Sequence, residues 1–193
     1  MQPALVPARV AAWLAASVCW IWLGCTIQPK IPITVDSRVD SLLQSEAIGI
    51  LKVSEDHDKL SRYQFWLSEF PRDDILGMSV GDGRIYISYK LAALALYDRD
   101  HLWLLRHTVA HEIAHETAAH ATRERVTRLN RGATAGVSAG DIGLPWYVRV
   151  LNYSTEQELE ADRKGVHYWK LIGWDCRIWV TILEDFQKQG YTG

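Results

Sequence analysis

Leu102-Trp-Leu-Leu-Arg-His-Thr-Val-Ala-His111-Glu112-Ile-Ala-His115 carries two patterns at once. Leu102, Leu105, Val109 and Ile113 recur at helical spacing with alanines beside them, so the run reads as a core-facing helix. The same pattern extends from about Asp100 to Asn130 and is the longest in the chain. His111 and His115 stand at i and i+4, about 40° apart around such a helix and one turn along it. Both imidazoles therefore point the same way. Two neutral nitrogens so placed can grip one Zn²⁺ at about 2.0–2.1 Å. Glu112 lies beside the pair without competing for the ion, positioned to accept a proton from a water activated there. His101, His107 and His120 read as surface or satisfied, partly buried residues. His107 shares the face one turn before His111, but a catalytic zinc keeps three protein ligands and an open position.

A site of this type needs a third ligand from elsewhere in the chain. Downstream, Ser154 opens a second helix, with Gln157 completing a capping box. Its first turns read Glu156-Gln-Glu158-Leu-Glu160-Ala-Asp162. Acids at i, i+2 and i+4 cannot all face one point, but Glu158 and Asp162 share a face. One can bind metal while the other accepts the outer N–H of a ligating histidine. An acidic first turn that complements the helix dipole accounts for Glu156. It accounts less well for an acid embedded in Leu159-Glu160-Ala161-Asp162.

Around these two helices the remaining elements follow from local signals. Asp36 is placed to cap a first helix carrying Val39, Leu42, Leu43 and Ile48 on one face. Asp74 to Val80 and Arg84 to Ser88 are β-prone runs flanking Gly81-Asp82-Gly83, the signature of a hairpin. Lys90 to Tyr97 reads as a short helix. Arg131 to Pro145 is rich in Gly, Ala and Ser and reads as a loop. Gly173 is placed to end the Ser154 helix, and a last helix runs from about Cys176 to Lys188. The expected class is α+β, mainly helical, with a small sheet beside the histidine helix.

Composition narrows the function classes. With 193 residues, 48% hydrophobic and 23% charged, the chain suits one ordinary globular domain, which excludes wholesale disorder and fibrous repeats. A net charge of −2 excludes the basic footprint of an ordinary nucleic-acid binder. Cys19, Cys25 and Cys176 show no CxxC spacing, which argues against a thiolate zinc site or a disulfide framework.

The first residues read as a separate segment. Between Arg9 and Lys30 lies the apolar run Val10-Ala-Ala-Trp-Leu-Ala-Ala-Ser-Val-Cys-Trp-Ile-Trp-Leu-Gly24, which fits a secretory h-region. Its end, Leu23-Gly24-Cys25, resembles a bacterial lipoprotein cleavage site, making Cys25 the lipidation candidate. The alternative is an uncleaved signal anchor. Either way, the rest of the chain is expected across a membrane and held at its surface. The expected division is residues 1–25 as signal peptide or anchor, 26–35 as an extended tether, and 36–193 as the functional domain.

The histidine motif followed by Tyr153-Ser-Thr-Glu-Gln-Glu-Leu-Glu-Ala-Asp-Arg-Lys-Gly-Val166 resembles the gluzincin zinc metallopeptidases typified by HtpX and the CAAX prenyl protease. It is most similar to their small periplasmic, membrane-attached members. The lead-in Gly83-Arg-Ile-Tyr-Ile-Ser-Tyr-Lys-Leu91 also resembles the family's strand and short helix, so the likeness spans roughly residues 36 to 187. The resemblance implies a zincin-like domain with a single zinc held by His111, His115 and Glu158, Glu112 as base, and Asp162 supporting from behind. It implies endopeptidase action on polypeptides, namely unfolded or misassembled envelope proteins, at the periplasmic face of a bacterial membrane.

Thr155 stands where the family usually has Arg, and Ile75-Leu76-Gly77-Met78 lacks the Asn-Ala pair common in the family's first hairpin strand. The family's oxyanion-stabilising residue has no match, so His167, Tyr153 and Arg177 are the positional candidates. The competing expectation is a non-catalytic, zinc-binding, chaperone-like lipoprotein. The retained Glu112 separates the two, because a binding protein has no need of a base there.

Overall fold

The computed structural model describes residues 31–123 and 153–189. Cys19, Cys25, the apolar run before Lys30 and the Arg131 to Pro145 loop lie outside the described residues. Asp36 caps the first helix as its position suggests, accepting the backbone N–H of Arg38 and Val39 at the head of α1 (Ser37–Leu51). Val39, Leu43, Ala47, Ile50 and Leu51 face the core, and Leu42 packs against its margin. Ile48 does not join them: it is 42% exposed. Nine positions beyond Val39, at about 100° per residue, it comes round half a turn off the buried stripe.

A single 3₁₀ turn (Leu60–Arg62) leads into β1 (Gln64–Ser68). The hairpin expected downstream is present as β2 (Gly77–Ser79) and β3 (Arg84–Ser88), linked through Gly81, Asp82 and Gly83, all with positive φ. Gly83 is further constrained, because a Cβ there would meet the carbonyl oxygen of Arg62 at 2.3 Å. β2 pairs antiparallel with β3, Met78 opposite Tyr86, whereas β1 pairs parallel with it, Trp66 opposite Tyr86. The order β1-β3-β2 puts β3 in the centre and leaves β2 at an edge. β1 was not expected from the sequence.

One face of the sheet contributes Phe65, Leu67, Ile85 and Ile87 to the main core. The other carries a small cluster of Ile31, Met78 and Tyr86. Ahead of α1, Thr34 forms an isolated antiparallel bridge to β1, its N–H donating to Leu67 O at 2.9 Å.

Ser88 ends β3 and caps α2 (Tyr89–Ala95) by accepting the Leu91 N–H. Asp98 then caps α3 (Arg99–Thr117). α3 is shorter than the sequence pattern suggests. The chain breaks at Ala118–Ala119, where Ala119 takes a left-handed φ of 55°, and helix resumes at His120 through Arg123. No glycine or proline marks this break. Contacts on either side hold it: Thr117 Oγ1 meets Tyr168 Oη at 2.9 Å, and His120 meets Glu160.

Ser154 and Gln157 form the expected capping box at the start of α4 (Thr155–Ile172). Gly173, at φ 87°, ends it, and Asp175 caps α5 (Cys176–Lys188). α3 is the axis of the domain, with β2 along one side and α4 along another. Leu105, Val109 and Ile113 on α3 are fully buried, as are Tyr168 and Trp169 on α4. The fold is α+β, mainly helical, with a small three-stranded sheet. Among the described residues, no helix is long and apolar enough to cross a membrane.

Candidate metal centre

α3 shows two stripes, each built on i+4 steps. Thr108, Glu112 and Glu116 lie against β2. His107, His111 and His115 turn towards other elements, the last two towards α4. Because the capping box fixes where α4 begins, Glu158 and Asp162 arrive one turn apart opposite the histidines. His111 Nδ1 lies 3.0 Å from Asp162 Oδ1, and His111 Nε2 lies 3.1 Å from Glu158 Oε2. His115 Nε2 is 2.9 Å from His111 Nε2 and 3.6 Å from Glu158 Oε2. His111, His115 and Glu158 thus form a group that could hold a metal ion.

The donor set passes a geometric test. A tetrahedral ion with bonds of about 2.0–2.1 Å keeps its ligand atoms about 3.3 Å apart. The three observed separations straddle that value. His115, 1% exposed, is kept neutral by burial, which brings its pKa down to about 4. Burial also opposes charge on His111, but hydrogen bonds to Asp162 and Glu158 outweigh it and raise its pKa to about 10. Burial pushes Glu158 up, yet its bonds to His111 and His115 hold it well below the usual carboxylate range. A proton on His111 Nε2 and a cation at the triangle answer the same Glu158 carboxylate, so each excludes the other.

Glu112 is buried beside this triangle. Burial raises its pKa to about 7; the His111 charge and a backbone hydrogen bond from Ser79 oppose that rise, and the Glu158 charge assists it. Its room is made by Gly77, where a Cβ would stand 2.8 Å from both Glu112 Cγ and Thr108 Cγ2. The sequence marked Gly77 only as part of a departure from a family pattern, because close approach is invisible to spacing. Glu116 was missed as well. It accepts the Ser79 hydroxyl at 2.8 Å and the Gly83 N–H at 2.6 Å, with Arg62 Nη2 at 3.5 Å, tying the hairpin to α3. Its position four residues beyond Glu112 was the available signal.

The edge strand has a definite polarity. Val80 N donates to Arg84 O and Ser88 N to Leu76 O, so the even-numbered residues of β2 face β3. Gly77 and Ser79 therefore turn their backbone groups away from β3, to an edge that pairs with no other strand among the described residues. Tyr153 reaches that edge, its hydroxyl donating to Ser79 O at 2.8 Å while its ring stacks on His115 at 4.0 Å. Of the three positional oxyanion candidates, Tyr153 is the one the structure brings to the site. His167 is exposed, and at five positions beyond Asp162 it lies about 140° around α4. The Arg177 side chain is 91% exposed and paired with Asp175.

The remaining histidines separate cleanly. His101 pairs with its capping neighbour Asp98 at the surface. His107 is buried 4.0 Å from the Trp179 ring and outside the metal group, and burial holds its pKa well below the usual value. His120 is the satisfied, buried kind: it lies fully buried against His115 and outside the metal group. The chain matches no family profile and no curated protein.

Proposed function

We propose that this chain is a zinc-dependent metalloendopeptidase with a zincin-like domain of the gluzincin type. The observation that carries the reading is the triangle of His111 Nε2, His115 Nε2 and Glu158 Oε2 with a buried carboxylate, Glu112, beside it. Zn²⁺, when bound, would supply Lewis acidity, polarising the scissile carbonyl and lowering the pKa of water towards about 7.

The chain's own residues do the rest. Glu112, with its pKa raised to about 7, is suited to take a proton from the attacking water near neutral pH and return it to the leaving amine. Asp162 accepts the His111 Nδ1–H and so leaves Nε2 with its lone pair towards the triangle. The outward backbone groups of Gly77 on β2 offer an extended polypeptide a strand to pair with. Glu116 holds that strand at a fixed distance from the base.

The motifs that resemble the HtpX and CAAX prenyl protease family, together with the apolar leader, support a place at the periplasmic face of a bacterial membrane. There the chain is held by a lipid on Cys25 or by an uncleaved anchor and acts on unfolded or misassembled envelope proteins. The test is casein digestion by the detergent-solubilised full chain. Cleavage should stop with a chelator and return with added zinc; cleavage unaffected by chelator contradicts the proposal.

A further inference from the structure

His115 is held from behind by two residues that the proposed mechanism does not use. His120 has no exposed surface, and both its ring nitrogens are engaged. Its Nδ1 lies 2.9 Å from His115 Nδ1, and its Nε2 lies 3.2 Å from Glu160 Oε2, which Arg123 Nη1 also approaches at 3.6 Å.

The direction of this chain is set at one end. His115 Nε2 faces His111 Nε2 and Glu158, and a nitrogen that ligates there must offer a lone pair. The proton of His115 then sits on Nδ1, where His120 Nδ1 is 2.9 Å away and must accept it. His120 consequently carries its own proton on Nε2 and donates it to the Glu160 carboxylate. Each atom has one role, and the series ends on a charge.

The backbone explains how His120 gets there. In an uninterrupted helix, a residue five positions after His115 would sit about 140° around the axis, facing elsewhere. The left-handed turn at Ala119 redirects the chain and brings the ring back onto His115. A non-glycine residue in that conformation is strained and persists only where its surroundings require it.

We propose that His120 and Glu160 are positioning residues for the metal centre, fixing the tautomer and ring orientation of His115 as Asp162 does directly for His111. The proposal rests on the zinc reading above. α4 then serves both histidine ligands, Asp162 by contact and Glu160 through a second imidazole. The sequence reading left Glu160 without a role, because on α4 alone it points away from Glu158 and Asp162.

The test is zinc affinity of the full chain in detergent, measured by competition with a chromophoric chelator. His120→Leu should weaken zinc binding about 10–100-fold. His120→Asn should recover most of that loss, since its side-chain oxygen can accept the His115 Nδ1–H. Glu160→Gln should weaken binding by less than His120→Leu. Nitrogen-15 spectra of labelled histidine in the zinc-loaded protein should show His120 neutral, with its proton on Nε2.

Unchanged affinity in His120→Leu, or a His120 proton on Nδ1, overturns the proposal. If circular dichroism shows His120→Leu unfolded, Glu160→Gln decides, because that side chain is 42% exposed and its loss leaves the core intact; wild-type affinity in it overturns the relay. A wild-type chain that binds no zinc removes this proposal together with the metal reading. Tight wild-type binding matched by every variant removes the relay alone.

Discussion

The two sides of α3 are built on different principles. Towards α4, His111 and His115 meet Glu158 and Asp162 across distances of 3.0 to 3.6 Å. Every one of these residues announces itself by an i, i+4 step on its own helix. Towards the sheet, Glu112 and Glu116 meet a three-residue strand through an absent side chain at Gly77 and a carboxylate tied to a turn. On that side only the helix keeps the i+4 step; the strand it meets has no period to match. The histidine side is therefore specified by sequence spacing on both helices, whereas the fit of Glu112 and Glu116 to β2 is specified by tertiary approach.

The largest break in this comparison should come from the α4 side. Glu158→Ala removes one corner of the triangle and should abolish stoichiometric zinc, read by metal analysis after dialysis. Full zinc content in that variant would remove Glu158 from the ligand set. On the sheet side, Gly77→Ala should act on chemistry rather than metal. Its methyl would have to displace Glu112 or Thr108, and misplacing a catalytic group by about 1 Å costs on the order of 10²-fold in rate. Steady-state cleavage and chelator competition on one preparation separate the two effects, and equal losses in both would merge the two sides into one unit.

Glu116→Ala should show up first as stability. It leaves the buried Ser79 hydroxyl and the Gly83 N–H without their partner, a loss of about 1–3 kcal/mol by thermal or urea unfolding. A further effect is graded by pH. Because His111 is raised to about 10, metal binding expels its proton, and zinc affinity should rise about tenfold per pH unit up to that value. The same shift works oppositely on the metal-free chain. A pKa raised on folding stabilises below the unfolded value of 6.5, and that contribution is lost as pH rises through about 10. A flat affinity profile from pH 6 to 8 would show that His111 gives up no proton to the ion.

The legible parts of the molecule share one property: their signals are local. Asp36 and Ser154 mark helix starts, Gly173 marks an end, and the Gly81-Asp82-Gly83 run marks the hairpin, because capping and turn chemistry act within a few residues. β1 escaped because Gln64–Ser68 pairs parallel with a strand some way along the chain, and parallel pairing leaves no turn to read. The break at Ala119 escaped because Thr117 and His120 enforce it through Tyr168 and Glu160, partners on another helix. With α3 read as continuous, the sequence leaves open whether His120 is a surface residue or a buried, satisfied one. Ile48 was misplaced because a face drawn through hydrophobic residues alone ignored Ala47, whose small side chain holds the buried position.

The central claim is that Glu112 does chemistry without holding metal. Glutamine keeps its size and its hydrogen bonds but cannot accept the proton. Glu112→Gln should therefore bind zinc as wild type does while casein cleavage falls by about 10²–10⁴-fold, the worth of a general base. Zinc content and cleavage measured together on the purified full chain decide it. Wild-type cleavage by Glu112→Gln would contradict the account, whatever its metal content.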